Sequence, residues 1–167
     1  MFSSSTQFTV VLSSLLKEDT LKKQGIKITR EIQQNLGNEL RKQYGPDILA
    51  KIAVGFMQKD KDLLIIDGIR NPAESDFLKA RFDENYRLIA VDAPQEIRFE
   101  RTVKRGRETD PKTLEEFVKL DDREQGKDEY DYGLQIRKCI EMADIVLQND
   151  VSLEDLERKV KEYLSTI

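Results

Sequence analysis

The sequence predicts an α/β fold with a mostly parallel sheet, because short aliphatic segments alternate with segments of helical periodicity. Four segments have the composition of buried strands: FTVVL at 8–12, DLLIIDG at 62–68, YRLIAVDAP at 86–94 and ADIVLQN at 143–149. In the second of them the run LLII has no polar alternation, which indicates a parallel strand covered on both faces.

Helix signals follow the first strand. Ser13 or Ser14 is a suitable N-cap for a helix that ends at Gly25. Apolar residues between positions 32 and 56 then recur at helical spacing, with an interruption at Gly45–Pro46. Because glycine and proline end helices, this region predicts two helices rather than one.

Further helices are predicted in the second half of the chain. Pro72 is suited to the first turn of a helix after the second strand. Residues 95–106 and 132–143 also have helical spacing, and a last helix begins at Ser152, which is followed by the acids of a capping box. The segment 106–131 differs, with ten acidic and five basic residues, and we expect a surface excursion or a mobile lid within a single domain spanning 1–167.

Composition excludes several classes of function. The chain has 28 basic and 32 acidic residues, a net charge of -4, so it has no overall attraction to duplex nucleic acid or anionic membranes. It has no histidine, which excludes Ser-His-Asp triads and histidine zinc sites. Cys139 is the only cysteine and is expected in the core, and no apolar run approaches the ~20 residues of a membrane span. We expect a cytoplasmic protein.

Polar side chains follow the predicted strands. Asp67, Asp92 and Asn149 each stand at a strand end, the edge where parallel sheets bind ligands. Asp67 is suited to a magnesium ion, and Arg70 to a bidentate contact with phosphate. The alternative is that Asp67 caps the following turn and Arg70 pairs with a surface acid.

A basic cluster lies in IRFERTVKRGR at 97–107. Three of its arginines stand at i, i+3 and i+7, so a helix places them on one face, which is typical of an anion site. The basic residues of the cluster are Arg98, Arg101, Lys104, Arg105 and Arg107. The alternative is compensation of the helix dipole, with Glu100 and Glu108 as partners.

Three other arginines are candidates for contact with an anion. Arg123, in DDRE, is positioned to stabilise a transferring phosphoryl group from the predicted lid. Arg30 and Arg41 lie on the early helices and either reach the ligand edge of the sheet or face water.

Several segments, taken in order, resemble the nucleoside monophosphate kinase branch of the P-loop kinases, and most of all the dephospho-CoA kinase-like nucleotide kinases of archaea and bacteria. The resemblance runs from about residue 8 to 165. The segments are VVLSSLLKE, TREIQQNLGNELRKQYGPDILA, LLIIDGIRNPAE, IAVDAPQEIRFERTVKRGR, DDRE and ADIVLQNDVSLEDL. The resemblance implies a three-layer αβα fold, with ATP and magnesium as the donor system.

The resemblance also implies roles for individual residues. The family's acid near magnesium falls at Asp67, its acceptor-phosphate arginine at Arg70, and another acceptor contact at Lys17, which keeps the charge but not the guanidinium fork. The predicted catalytic residues are Asp67, which is also the metal ligand, Arg105 and Arg123. The predicted substrate-binding residues are Lys17, Arg30, Arg70, Arg101 and Arg107, and Asn149 is the predicted cofactor contact.

The sequence departs from this family at the phosphate-binding loop. No G-x-x-x-x-G-K-[ST] occurs in it, and FTVVL matches the family's second strand, so the central strand of the sheet order 2-3-1-4-5 has no counterpart. The gap would be filled by an upstream segment, by a strand from another chain, by direct closure of the third and fourth strands, or by FTVVL moving to the centre with SSLLK as a degenerate loop.

Two functions are therefore expected. The first is ATP-dependent phosphoryl transfer to a nucleotide-type acceptor, either a nucleoside monophosphate or a dephospho-CoA-like molecule, impaired where the phosphate loop is absent. The second is a non-catalytic nucleotide-binding, regulatory or assembly protein derived from such a kinase. A homodimer or a strand-donating partner is compatible with both.

Overall fold

The protein is an α/β protein with parallel strands, as the sequence predicts. The structure is a computed structural model, and it describes residues 7–12, 29–57, 63–107 and 110–167. The strands are Gln7–Val11 (β1), Leu63–Asp67 (β2), Ile89–Asp92 (β3) and Ile145–Gln148 (β4). The α-helices in these ranges are Arg30–Tyr44 (α1), Ile48–Gly55 (α2), Pro72–Phe82 (α3), Gln95–Arg105 (α4), Leu114–Gln125 (α5), Ile136–Glu141 (α6) and Leu153–Leu164 (α7).

The strands form two parallel pairs. β1 pairs with β2 from Gln7 opposite Leu63 to Val11 opposite Asp67, and β3 pairs with β4 from Ile89 opposite Ile145. β2 and β3 are not hydrogen-bonded to each other within the described residues. Two of the four expected ways of filling the sheet are therefore wrong for the described residues. β2 and β3, which match the family's third and fourth strands, do not close up directly, and β1 is bonded to β2 alone, so FTVVL is not a central strand between them.

The position of β1 is explained by its side chains. Val10 and Leu12 are buried in a cluster with Leu49 and Ala53 of α2, and this packing holds β1 on β2. The opposite face of β2 is open, because Leu63 is 45% and Ile65 39% exposed. The expectation of a strand covered on both faces is thus wrong for the described residues, since α1 and α2 cover one face only.

Most helix boundaries agree with the sequence signals. α1 ends at Tyr44, and its C-cap, Gly45, has a φ of +104° and donates its N–H to the Arg41 carbonyl. α3 begins with Pro72, and Ser152 caps α7 by accepting the Asp155 N–H at 3.2 Å. The helix predicted from Ser13 or Ser14 to Gly25 lies outside the described residues.

Two expectations from composition can also be compared with the structure. Cys139 is buried, as predicted, and burial raises the pKa of its thiol to about 12. In the described parts of the chain, no helix has the length and apolar character needed to cross a membrane.

The segment 106–131 contains a packed helix. Phe117 of α5 is 1% exposed and lies against Phe99 of α4, with 5.3 Å between the ring centroids. This polar segment therefore contains one buried apolar side chain, Phe117, that packs it against α4. A lid movement of this segment remains a prediction.

Asn71 connects the turn after β2 to the segment that precedes α6. Its Nδ2 donates to the Asp131 carbonyl at 2.9 Å and to the Gly133 carbonyl at 2.8 Å, and the Gln135 N–H donates to the Arg70 carbonyl at 2.7 Å. Asn71 is also the N-cap of α3, because its Oδ1 accepts the Ala73 N–H. The start of α3 is thus connected to the segment that precedes α6.

A buried ion pair connects α1 to α3. Arg41 is 1% exposed and donates through Nε and Nη2 to Oε1 of Glu74, which is fully buried, at 2.9 and 2.8 Å. The other oxygen of Glu74 accepts the backbone N–H groups of Arg70 and Asn71. Arg41 therefore neither serves as a free ligand contact nor faces water.

We predict that Glu74→Gln lowers the free energy of unfolding by about 3 to 5 kcal/mol, because it leaves the buried Arg41 guanidinium without its counterion. Urea denaturation at pH 7 measures the change. The matched control is Glu157→Gln, which removes an exposed carboxylate 3.9 Å from Lys161 and should change stability by less than about 0.5 kcal/mol. Equal losses in the two variants would contradict the importance of the buried pair.

Candidate functional site

The candidate site is an arginine-lined cleft of about 770 Å³. Its walls come from α1, the turn after β2, α4 and α5. Seven arginines and three acids line it. Arg41 is neutralised by the buried Glu74, so the other six arginines exceed the three acids by three positive charges, in a chain of net charge -4. The arginines are Arg30, Arg41, Arg70, Arg98, Arg101, Arg105 and Arg107, and the acids are Asp110, Asp121 and Glu124.

Arg30 and Arg70 meet on one carboxylate in this cleft. Arg30 donates to both oxygens of Glu124, from Nε at 2.9 Å and from Nη2 at 2.7 Å. Arg70 Nη1 lies 3.0 Å from Glu124 Oε1, and Gln34 Nε2 donates to the same oxygen at 3.1 Å. Arg70 is therefore paired with a buried acid, not with a surface acid.

These contacts change the acidity of Glu124. Burial acts to raise the pKa of this carboxyl, but the hydrogen bond from Arg30 and the charges of Arg70 and Arg30 outweigh burial and hold the pKa at about 2. For Arg30, burial acts to lower the pKa, and the hydrogen bond and charge of Glu124 raise it overall. Both groups are charged at neutral pH.

Arg98, Arg101 and Arg105 of α4 all line the cleft, as their spacing predicts, whereas Lys104 does not. Arg98 donates to Asp121 from Nε at 3.0 Å and from Nη2 at 2.5 Å, and its Nη1 lies 3.4 Å from Asp92. The hydrogen bond to Asp121 raises the pKa of Arg98. Glu100 is not a partner of this arginine among the described contacts, and Glu108 lies outside the described residues.

Arg105 is also neutralised by an acid of the cleft wall. It donates to both oxygens of Asp110, at 3.0 and 2.6 Å, and this hydrogen bonding lowers the pKa of the Asp110 carboxyl. Arg105 is therefore not free to meet a ligand while this pair is intact.

Arg101 and Arg107 are the cleft arginines whose charge is not neutralised by a described carboxylate. Arg101 Nη1 donates to the Asn149 carbonyl at 2.7 Å, and neither Arg101 nor Arg107 has a carboxylate within ion-pair distance among the described residues. An anion that enters the cleft would meet these two guanidinium groups without displacing an acid.

Three predicted site residues, Asp67, Arg123 and Asn149, do not line this cleft. Asp67 is exposed at the end of β2, and its carboxylate makes no hydrogen bond or ion pair with the described residues. The interpretation of Asp67 as the cap of the following turn is therefore wrong for the described residues, and the cap of α3 is Asn71. Arg123 is not itself a lining residue: it pairs with Glu129 at 2.5 Å and donates to Asn35 at 2.7 Å and to Gln34, a residue of the cleft wall, at 3.4 Å.

The third of these residues is Asn149. Asn149 takes part through its backbone, because its N–H donates to the Asp92 carbonyl at 2.7 Å and its own carbonyl accepts from Arg101. Its amide side chain makes no contact that would identify a cofactor site in the described part of the chain. Lys17 lies outside the described residues.

The three acids of the cleft were missed by sequence reasoning. All of them belong to the polar segment that was expected to be a solvated excursion. A signal was available, because Phe117, Asp121 and Glu124 stand at i, i+4 and i+7 and share one helical face with the apolar anchor.

The residues present fit a magnesium site only in part. Among the described residues, no group of three or more acids or cysteines is placed to hold a metal ion. Magnesium is often held by one or two carboxylates with phosphate oxygens and water completing its shell, so Asp67 alone is compatible with an ion brought by a nucleotide.

These features define the class of the protein: an α/β protein with a positively charged cleft beside the ends of parallel strands. Comparison with known proteins adds the family, although no protein-family profile matches the chain. It is 35% identical over 162 residues to a UPF0200 protein of Thermococcus gammatolerans, covering 95% of this chain and 81% of that protein. A UPF0200 protein of Thermococcus kodakarensis is also 35% identical, with 83% of its length covered. The chain belongs to the UPF0200 family.

A third relative is longer. The chain is 32% identical over 158 residues to a protein of Archaeoglobus fulgidus named UPF0200/UPF0201 protein. The match covers 93% of this chain and spans 46% of the length of that protein.

We predict that Glu124 stabilises the fold in a pH-dependent way. Its folded pKa of about 2 lies below the ordinary value of 4.5, so its contribution is complete above about pH 4.5 and is lost as the pH falls toward 2. Wild type should exceed Glu124→Gln by about 3 kcal/mol at pH 7, and this difference should vanish near pH 2.

Urea denaturation at a series of pH values measures this difference. Glu115→Gln is the control, since Glu115 is an exposed acid in the first turn of the same helix. A difference between wild type and Glu124→Gln that stays constant from pH 7 to pH 2 would refute the assignment.

Proposed function

We propose that this protein is a nucleotide kinase-like protein that binds a nucleotide-type ligand through its phosphates in the arginine-lined cleft. The observation that carries the proposal is the surplus of three positive charges in one cleft of a chain that is acidic overall. Guanidinium groups match phosphate oxygens in geometry as well as in charge. The volume of the cleft, about 770 Å³, lies within the usual range for small-molecule sites.

The reaction proposed for the site is ATP-dependent phosphoryl transfer to a nucleoside monophosphate or a dephospho-CoA-like acceptor. Arg30 and Arg70 would hold the acceptor phosphate, and Arg101, Arg105 and Arg107 would neutralise the transferred group. In such a reaction the protein positions the reactants and compensates the charge on the phosphoryl oxygens. Magnesium, held by Asp67 and the nucleotide, would neutralise further charge on the phosphates.

The strand order supports the P-loop kinase-like part of the proposal. In the order 2-3-1-4-5, β1 and β2 correspond to strands 2 and 3, and β3 and β4 to strands 4 and 5. The place of the central strand would then lie between β2 and β3, which are not hydrogen-bonded to each other within the described residues. A strand from an upstream segment, a second copy or another chain would complete a three-layer αβα sheet and supply a phosphate loop. Without such a loop we expect transfer to be impaired.

A second candidate function is a role in assembly. The Archaeoglobus relative has a name that joins UPF0200 with UPF0201, and this chain spans 46% of its length. We propose on this ground that the chain acts together with a UPF0201-type protein. The test is size-exclusion chromatography of this chain mixed with the unmatched part of the Archaeoglobus protein. Co-elution supports the assembly role, and separate elution at micromolar concentrations contradicts it.

The nucleotide proposal predicts that Arg101 contributes to ATP binding and Arg70 to acceptor binding. In calorimetric titrations, Arg101→Ala should weaken binding of ATP with magnesium by about tenfold, because it removes a charged donor that no acid neutralises. Arg70→Ala should weaken binding of adenosine monophosphate or dephospho-CoA by a similar factor and leave ATP affinity unchanged.

Arg158→Ala is the control, because it removes the same charge from α7, where Arg158 pairs with Asp155 and Glu162. It should change neither affinity. If high micromolar protein gives no heat with any of these nucleotides, the proposed function is wrong. If Arg70→Ala weakens both ligands equally, the assigned roles are wrong.

A further inference from the structure

One segment supplies all three acids of the cleft. We call residues 110–125, which include α5, the carboxylate segment. Its acids meet arginines that come from three other places: the start of α1, the turn after β2, and α4. The pairs are Arg105 with Asp110, Arg98 with Asp121, and Arg30 and Arg70 with Glu124.

Glu124 occupies the position that an oxyanion of a ligand would take. Its two oxygens receive four donors from two arginines and Gln34, at distances between 2.7 and 3.1 Å. Two phosphate oxygens would use the same nitrogen atoms in the same fork arrangement. A ligand phosphate and the Glu124 carboxylate therefore cannot satisfy these donors at the same time.

The packing of α5 depends on these pairs. The buried residues of α5 are Phe117, Asp121 and Glu124, so only one of the three is apolar. Removing the ion pairs leaves Phe117 against Phe99 as the principal buried apolar contact of the helix. The acids of α5 can thus be released from the arginines while Phe117 stays buried against Phe99, with little loss of apolar burial.

We propose that the carboxylate segment is an internal competitor, which covers the cleft arginines in the free protein and is displaced by a ligand with several negative charges. The competition selects for polyanions, because a monoanion gains no advantage over a carboxylate that is already in place. The inference rests on the proposed phosphate binding and assigns Asp110, Asp121 and Glu124 as residues that set specificity for charge.

The test is calorimetry at constant ionic strength, with inorganic pyrophosphate as the polyanion and acetate as the monoanion. Asp110→Asn frees Arg105, and Glu124→Gln frees Arg30 and Arg70. Each variant should bind pyrophosphate about tenfold more tightly than wild type, because the competing carboxylate has been neutralised. Glu115→Gln removes the same charge from α5 without a contact in the cleft and should bind as wild type does.

The outcomes separate the two proposals. Binding by wild type with unchanged affinity in both variants overturns the competition and leaves phosphate binding in place. Absence of pyrophosphate binding in wild type and in both variants overturns phosphate binding and, with it, the competition. Equal tightening for acetate and pyrophosphate overturns the selection for polyanions.

A second measurement covers the case in which Glu124→Gln does not fold. Amide hydrogen exchange of wild type should become faster at residues 114–125 when pyrophosphate is added, because α5 loses its ties to the arginines. Slower exchange there would mean that the segment closes on the ligand with its pairs intact, and this result would overturn the displacement.

Discussion

The Glu74 carboxylate is the contact on which the site depends. One of its oxygens accepts hydrogen bonds from Nε and Nη2 of Arg41 in α1. The other accepts hydrogen bonds from the backbone N–H groups of Arg70 and Asn71. A single side chain therefore fixes the packing of α1 against α3 and the course of the chain after β2. The position of Arg70 in the cleft follows from this arrangement, because its backbone is held from inside the fold.

The cleft is built from charges that neutralise one another incompletely. Buried and half-buried ion pairs contribute little net stability, since the desolvation of two charges offsets most of their attraction. Their value lies in geometry: each pair holds a flexible arginine in one orientation at the wall of the cleft. The surplus of arginines over acids gives the cleft its positive potential. Arg101 and Arg107 contribute to it most directly, because they line the cleft without a carboxylate partner among the described residues.

Local signals in the sequence predict the four strands and most of the described helices, although not α5 in the polar segment. Aliphatic segments located the four strands, the Gly45–Pro46 interruption separated α1 from α2, and Pro72 and Ser152 marked helix starts, because each of these depends on neighbouring residues only. The common face of Arg98, Arg101 and Arg105 followed from helical periodicity for the same reason. These features needed no knowledge of distant contacts.

The partners of the arginines could not be predicted in the same way. Arg30 and Glu124 are 94 positions apart, and their meeting depends on how α1 and α5 pack, which the local pattern does not encode. A charged residue in a polar segment resembles a solvated one until a buried neighbour such as Phe117 is considered. Likewise, the run LLII did not reveal that one face of β2 is open, because aliphatic composition reports suitability for burial and not the presence of a covering layer.

The joint at Asn71 has a consequence for cooperativity. No backbone ladder connects the two strand pairs within the described residues, so their mutual order depends on side chains and loops. Asn71 both caps α3 and holds the carbonyls of Asp131 and Gly133, which means that fraying of one helical turn releases a tertiary contact as well. Arg70 is the adjacent residue. The free energy that keeps it in place in the cleft is therefore that of local opening around Asn71, and not that of unfolding the whole molecule.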